Sequence, residues 1–265
     1  LARAFGQKVN SDPFEMLART VSRKTILDHC PDPLSKEALL FGHAGMLEEW
    51  TMDRDEDEYQ VELRERYRVL KGEILQNMSN RLEPIDGFLW KFLRLRPDNF
   101  PTIRISQLAC SLDKYPDLFL QLVGADDPLE FVMGMDLRAS EYWTSHYRFG
   151  IKSPAREKTL GKNRMRGLFV NACLPVLFAY QRIDGKFLNE LGGKKFRTID
   201  FHELMLGMPA EDNRIIRMWK SLGREVPDVI SSQALLQLTK KYCKFRKCLS
   251  CYVGSQILYT SHKEK

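Results

Sequence analysis

The chain has 265 residues, enough to bury a core as one large domain or as two modest ones. Its 43% apolar and 29% charged residues are typical of a globular protein, and six cysteines are too few for a disulfide scaffold. The net charge of +6 is confined to residues 239–265, which hold seven Lys or Arg and one Asp or Glu. The sparse cysteines and the lack of a secretory signal predict a reduced, cytoplasmic compartment. The longest apolar run, residues 168–180, is too short to cross a bilayer, so no membrane partner is predicted.

Helical periodicity begins with the first five residues, where the chain starts without Met. We therefore interpret the chain as a fragment of a longer protein or as a processed product. An N-cap signature at Ser11–Pro13 predicts a helix that ends near Asp28. A second helix is predicted from Ser35, and a long amphipathic helix over residues 56–78.

Three prolines interrupt the helical pattern between residues 79 and 101, and a subdomain boundary is placed there. The predicted subdomains are 1–83 and 84–265. In the second, Pro175 should kink its helix, residues 148–161 look like loop, and a short strand is predicted near 256–259. Helices are predicted at about 101–113, 116–123, 128–134, 137–147, 163–181, 198–206, 210–222 and 231–242. The sequence therefore predicts an all-α fold, an irregular multi-helix globular protein.

Three cysteines near the C-terminus, Cys243, Cys248 and Cys251, have a spacing similar to those that bind zinc or an iron–sulfur cluster. On an unbroken helix Cys243 and Cys248 would lie about 140° apart, so ligation requires a turn between them. The alternative is that all three are small buried side chains that pack in a core. The candidates for a fourth ligand are Cys30, Cys110, Cys173, His202 and His262.

Two groups of cations could face a polyanion. The first group surrounds the three cysteines and consists of Lys240, Lys241, Lys244, Arg246 and Lys247. The second alternates with aromatic residues between Trp90 and Arg104 and consists of Lys91, Arg94, Arg96 and Arg104. Cations beside aromatic rings can bind phosphates while the rings stack on bases. For the second group the alternative is that the aromatic residues and Leu93 form core, and that the arginines bond to carbonyls and acids inside the protein.

Catalytic chemistry has weaker support in the sequence. Glu141 and His146 could form a general acid–base pair if the fold brought them together. Because they are five positions apart, a helix would not place them on one face, and a structural histidine is the alternative. No complete phosphate-loop, zinc-protease, calcium-loop or dinucleotide motif occurs in the sequence, so no catalytic residue is assigned.

Several motifs together resemble one bacterial family. They occupy residues 5–18, 37–45, 94–109, 142–150, 232–238 and 242–254. The family is the domain-of-unknown-function family 2851, and the resemblance extends over essentially the whole chain. It implies that full-length members carry an additional N-terminal half, which resembles a restriction-endonuclease-like α/β domain. No activity or catalytic residue comes with the resemblance.

Two functions from different classes remain open. The confinement of the net charge to one end favours a nucleic-acid-associated helical module of a larger, nuclease-like protein, whose missing N-terminal domain would be a partner. The alternative is a non-catalytic structural or protein-interaction module, whose basic end binds an acidic protein surface.

Overall fold

Helices dominate the structure, a computed structural model that describes residues 1–47, 57–77, 83–182 and 199–263. The first eleven are α1 (Ala2–Phe5), α2 (Ser11–Thr20), α3 (Arg23–His29), α4 (Pro33–His43), α5 (Glu58–Asn77), α6 (Pro101–Lys114), α7 (Leu118–Gly124), α8 (Pro128–Gly134), α9 (Tyr142–Ser145), α10 (Lys162–Leu168) and α11 (Leu174–Gln181). Two short strands, β1 (His146–Arg148) and β2 (Ile151–Lys152), form an antiparallel hairpin. The all-α prediction is confirmed, with this hairpin as a small addition.

Four further α-helices follow within residues 199–263: α12 (Phe201–Leu206), α13 (Arg214–Ser221), α14 (Val229–Lys241) and α15 (Tyr252–Lys263). The strand predicted near residues 256–259 is wrong, because that segment lies inside α15. None of the described helices is both long and apolar enough to cross a membrane.

The chain forms two compact units, residues 1–196 and 197–265. This division differs from the predicted boundary after residue 83, because the segment that follows residue 83 is bonded to α4 and the residues after it. The N–H of Ile85 donates to the carbonyl of His43 at 2.9 Å, and the indole N–H of Trp90 donates to the carbonyl of Ala44 at 2.7 Å. The prolines between residues 79 and 101 therefore interrupt the helical pattern, but they do not mark the boundary between the two units.

The centre of the first unit is α4, which packs against α5 and α6. Every residue from Ser35 to Leu47 is buried, which explains why the sequence shows no solvent-facing polar stripe there. The two charged side chains on this buried stretch are both satisfied. The amino group of Lys36 pairs with Asp113 at 2.9 Å, and the Glu37 carboxylate accepts a hydrogen bond from the indole of Trp143 at 2.5 Å.

The predicted helix over residues 137–147 is reduced to α9, and a buried lysine explains where it ends. The Lys158 amino group donates to the carbonyls of Trp143, Thr144 and His146, in the region where carbonyls at a helix C-terminus lose their intrahelical partners. With these carbonyls satisfied, the chain turns directly into β1.

Two other predicted helices are interrupted. The helix predicted to run from Pro13 to Asp28 divides into α2 and α3, because Val21 is extended and the Ser22 side chain caps α3 by accepting from the N–H of Thr25. The helix that contains Pro175 carries a π-helical turn at Phe169–Cys173, which ends two residues before the proline. Such turns absorb the backbone change that a proline requires.

Candidate nucleic-acid interface

A small apolar core positions the basic end of the second unit. Ile216 of α13, Val226 and Leu236 of α14 are buried against one another. The indole N–H of Trp219 donates to the Thr239 hydroxyl at 2.8 Å, so the last turn of α14 is tied to α13. The segment after α14 is therefore presented from a fixed helix end.

The segment between α14 and α15 is a compact reversal, and we call residues 240–251 the basic turn. The N–H groups of Phe245 and Lys247 both donate to the carbonyl of Tyr242 at 3.1 Å. Between them Arg246 adopts a left-handed conformation with φ of 52°, which is uncommon outside glycine and reverses the chain. The turn is therefore folded on itself by backbone bonds rather than extended.

The start of α15 is packed directly onto the basic turn. A Cβ at Gly254 would lie 2.5 Å from the carbonyl oxygen of Cys248, so only glycine fits this approach. Two rings on the same helix, Tyr252 and Tyr259, are 79% and 72% exposed. The helix thus carries accessible aromatic surface next to the turn.

The five cations of the basic turn are all exposed, and none forms an ion pair with a described residue. They are Lys240, Lys241, Lys244, Arg246 and Lys247. Lys240 and Lys241 also lie in the last turn of α14, where the partial negative charge of the helix end attracts cations. Their charge is available to an anion from solvent.

An exposed ring lies within this cation group. Phe245 is 58% exposed, and the amino groups of Lys244 and Lys247 lie 5.5 and 5.7 Å from its ring centroid. A base stacked on such a ring would bring its phosphates close to both lysines. Phe245, Tyr252 and Tyr259 were absent from the sequence-based candidates, although the alternation of Lys and Phe at residues 244–247 could have indicated the first of them.

The cysteines do not form a metal site in this arrangement. A turn does separate Cys243 from Cys248, as ligation would require, but both are exposed while Cys251 is buried. Within the described parts of the chain, no three His, Cys, Asp or Glu side chains lie close enough together to hold a metal ion. The described residues therefore do not fit zinc or an iron–sulfur cluster.

The second cation group lies in the first unit, on a firmly anchored loop. The side chain of Asn10 bonds to both the N–H and the carbonyl of Lys91 at 2.9 Å, and Trp90 is buried beside it. The Lys91 side chain is nevertheless exposed, and so are Arg94 and Arg96 further along the loop. Leu93, expected in the core, is instead 88% exposed, because it lies at the corner of a tight turn.

Arg104 is separated from these three cations by burial. It is 4% exposed, and its guanidinium donates to the side-chain oxygens of Gln107 and Asn99 at 2.6 Å each. Burial, with the charge of Arg164 nearby, lowers the pKa of Arg104 to about 10. Its side chain therefore bonds inside the protein, as the alternative interpretation holds, and it does not reach a phosphate at the surface.

The suggested Glu141–His146 pair is not assembled. Both residues are described, and no hydrogen bond joins them; Glu141 is exposed. The imidazole of His146 stacks on Tyr142 with ring centroids 4.2 Å apart, and its Nδ1 lies 3.1 Å from the Tyr142 carbonyl. His146 is thus held as a structural residue.

A groove between α12 and α14 was also missed from the sequence. It has a volume of about 400 Å³. Its lining residues are Met205, Ile230, Gln233, Ala234, Leu236, Gln237, Lys240 and Lys241. On α14 most of these residues recur every three or four positions. This spacing predicts that they share one face of the helix, but it does not predict that the face lines a groove.

Comparison with known proteins gives one family. A family model described as "Protein of unknown function (DUF2851)" matches residues 1–213. The match covers the first unit and the start of the second, and it ends before the basic turn. No curated protein and no solved structure matches the chain.

Proposed function

This chain belongs to the DUF2851 family of proteins of unknown function, and we propose that it binds nucleic acid through the basic turn. The observation that carries the proposal is the set of five exposed cations without ion pairs to described residues, two of which, Lys244 and Lys247, lie close to the exposed ring of Phe245. Proteins that bind single strands combine such a cationic surface with stacking rings. Tyr252 and Tyr259 extend the aromatic surface along α15.

Salt dependence is the first test of this proposal. Cations that neutralise phosphates release counterions, so five contacts to a single strand predict a slope of log affinity against log salt of about −3.5. Fluorescence anisotropy of a labelled strand should show affinity falling about a hundredfold between about 50 and 200 mM salt. Absence of salt-sensitive association at low ionic strength overturns the proposal.

Substitutions separate the two parts of the surface. Replacing Lys240, Lys241, Lys244 and Lys247 by Glu should abolish binding, whereas Lys220→Glu, an exposed change on α13 of the same unit, should leave it nearly unchanged. Phe245→Ala should weaken binding about tenfold without changing the salt slope, because it removes stacking and no charge. Equal loss in the Lys220→Glu control would show that net charge alone governs binding.

A second candidate is a protein-interaction module that uses the same end of the chain. It is favoured by two exposed apolar side chains, Leu249 in the basic turn and Ile257 on α15, which are 85% and 61% exposed. In that case the four-lysine charge reversal should abolish capture of an acidic protein partner and leave oligonucleotide binding unchanged.

We further propose that this module acts in the cytoplasm, as part of a larger protein with a nuclease-like N-terminal domain. Support for the location is that all six cysteines, each in a described region, are free thiols. Co-purification of nuclease activity with the full-length protein, lost when the basic turn carries the four charge reversals, would test the link between the two parts.

A further inference from the structure

The groove between α12 and α14 changes chemistry along its length. Its apolar lining is formed by Met205, Ile230, Ala234 and Leu236. Gln233 and Gln237 follow, one helical turn apart, and Lys240 and Lys241 lie at the end that joins the basic turn. Apolar and amide side chains therefore alternate along α14, and the cations lie at one end of the groove.

The two glutamines can bond to a ligand. The amide nitrogen of Gln233 donates to the Glu211 carboxylate at 2.5 Å, and Glu211 is itself held by Asn213 at 3.0 Å. The amide orientation of Gln233 is therefore fixed, while its carbonyl oxygen accepts no hydrogen bond from a described residue. Gln237 is exposed, and its amide bonds to none of the residues that the structure describes. Amides offer a donor and an acceptor together, which suits the edge of a nucleobase.

The cationic end favours a phosphate over a peptide. Lys240 and Lys241 are exposed at the rim, without an ion pair to any described carboxylate. Leu236 also lines the groove between the two glutamines, but Gln237, Lys240 and Lys241 at the end of α14 offer amide and charge rather than the continuous apolar surface that an amphipathic helix would require. The volume of about 400 Å³ lies within the range of about 300–1,000 Å³ found for small-ligand sites.

We infer that this groove holds one unstacked base of a single-stranded nucleic acid, with the adjacent phosphate on Lys240 and Lys241. The base lies on Met205 and Ala234, and its edge bonds to Gln233 and Gln237. The inference rests on the proposed function and makes it specific: the ligand is a single strand, because a base inside a duplex cannot enter the groove without leaving its stack.

Filling the groove tests the inference. Ala234 is exposed on the groove wall, so Ala234→Trp should occupy the base position without disturbing the buried core. We expect this variant to bind a single strand about tenfold more weakly, and Gln237→Leu to bind it about fivefold more weakly. The matched control is Leu222→Trp, which adds the same ring at a position 71% exposed and outside the groove, and should bind as the unaltered protein does.

A strand with abasic sites provides the second arm, because it keeps the phosphates and lacks the bases. The unaltered protein should bind it about tenfold more weakly than the complete strand, and Ala234→Trp should cause no further loss. A duplex of equal length should bind more weakly than the single strand.

The outcomes distinguish failure of the groove from failure of the basic turn. Salt-sensitive binding that is equal for strand, duplex and abasic strand, and is unchanged by Ala234→Trp, overturns the groove inference while the proposed function stands. No binding to any of the three overturns the proposed function itself. A Leu222→Trp variant as weak as Ala234→Trp also counts against the groove.

Discussion

At the scale of single residues, burial determines how several ionisable groups behave. His43, at the end of α4, is 3% exposed, and its ring meets Tyr67 edge-on at 5.7 Å. Its Nδ1 has no hydrogen-bond partner among the described residues. Burial, with a smaller contribution from the charge of Lys71, lowers the pKa of His43 to about 4. Burial has the opposite effect on the Glu37 carboxyl, whose pKa it raises because it disfavours the charged form.

The His43 pKa predicts an acid-sensitive fold. Because the pKa is lower in the folded chain than the ordinary value of 6.5, protons bind preferentially to the unfolded chain, and stability falls as the pH drops from about 6.5 towards 4. Between pH 7 and 4.5 the loss from this residue should be about 2 kcal/mol. Urea unfolding at several pH values should show that loss reduced in His43→Gln. An unchanged pH profile in the variant would contradict the assignment.

At the scale of elements, one glycine controls how closely α4 and α5 approach. A Cβ at Gly42 would lie 2.3 Å from the ring of Tyr67 on α5. A second glycine, Gly72, lies on α5 with nothing within 4 Å of its Cβ position. The same residue type therefore has a packing role on one helix and none on the other.

A matched pair of substitutions tests this difference. Gly42→Ala should destabilise the protein by about 2 kcal/mol, because the added methyl overlaps a ring that is itself packed in the core. Gly72→Ala should stabilise it by about 0.5–1 kcal/mol, because alanine favours an exposed helix interior. Chemical denaturation measures both. Similar effects of the two changes would show that helix propensity, not contact, determines the outcome.

At the scale of the whole molecule, each compact unit has its own core. That of the second unit is built on Ile216, Val226 and Leu236, while the first is built around α4. Substitution of a residue in one core should therefore lower protection from hydrogen exchange mainly in the unit that contains it.

Truncation of one core residue in each unit tests this independence. Ile216→Ala should cost about 3 kcal/mol and should lower amide protection across residues 199–263. Leu39→Ala should do the same within the first unit and leave residues 199–263 protected. Mass spectrometry of exchanged peptides reads both patterns, and loss of protection throughout the chain in either variant would contradict two separately stabilised units.

The sequence by itself determined most helix positions, the all-α class, the family and the confinement of charge to the C-terminal end. These depend on local spacing and composition, which the chain carries without knowledge of its fold. The predicted helix boundaries were wrong where a residue distant in the sequence bonds to the helix end, as Lys158 does at the end of α9.

Only the tertiary structure decided which candidate residues face solvent. Arg104 and Arg94 belong to the same sequence block, yet long-range packing buries the first and exposes the second. The spacing of the three cysteines likewise could not predict whether they lie close together in the fold. Nor could it predict the groove, which forms only because α12 lies beside α14. Burial and convergence are sums over contacts between residues far apart in the chain, and local periodicity does not encode such contacts.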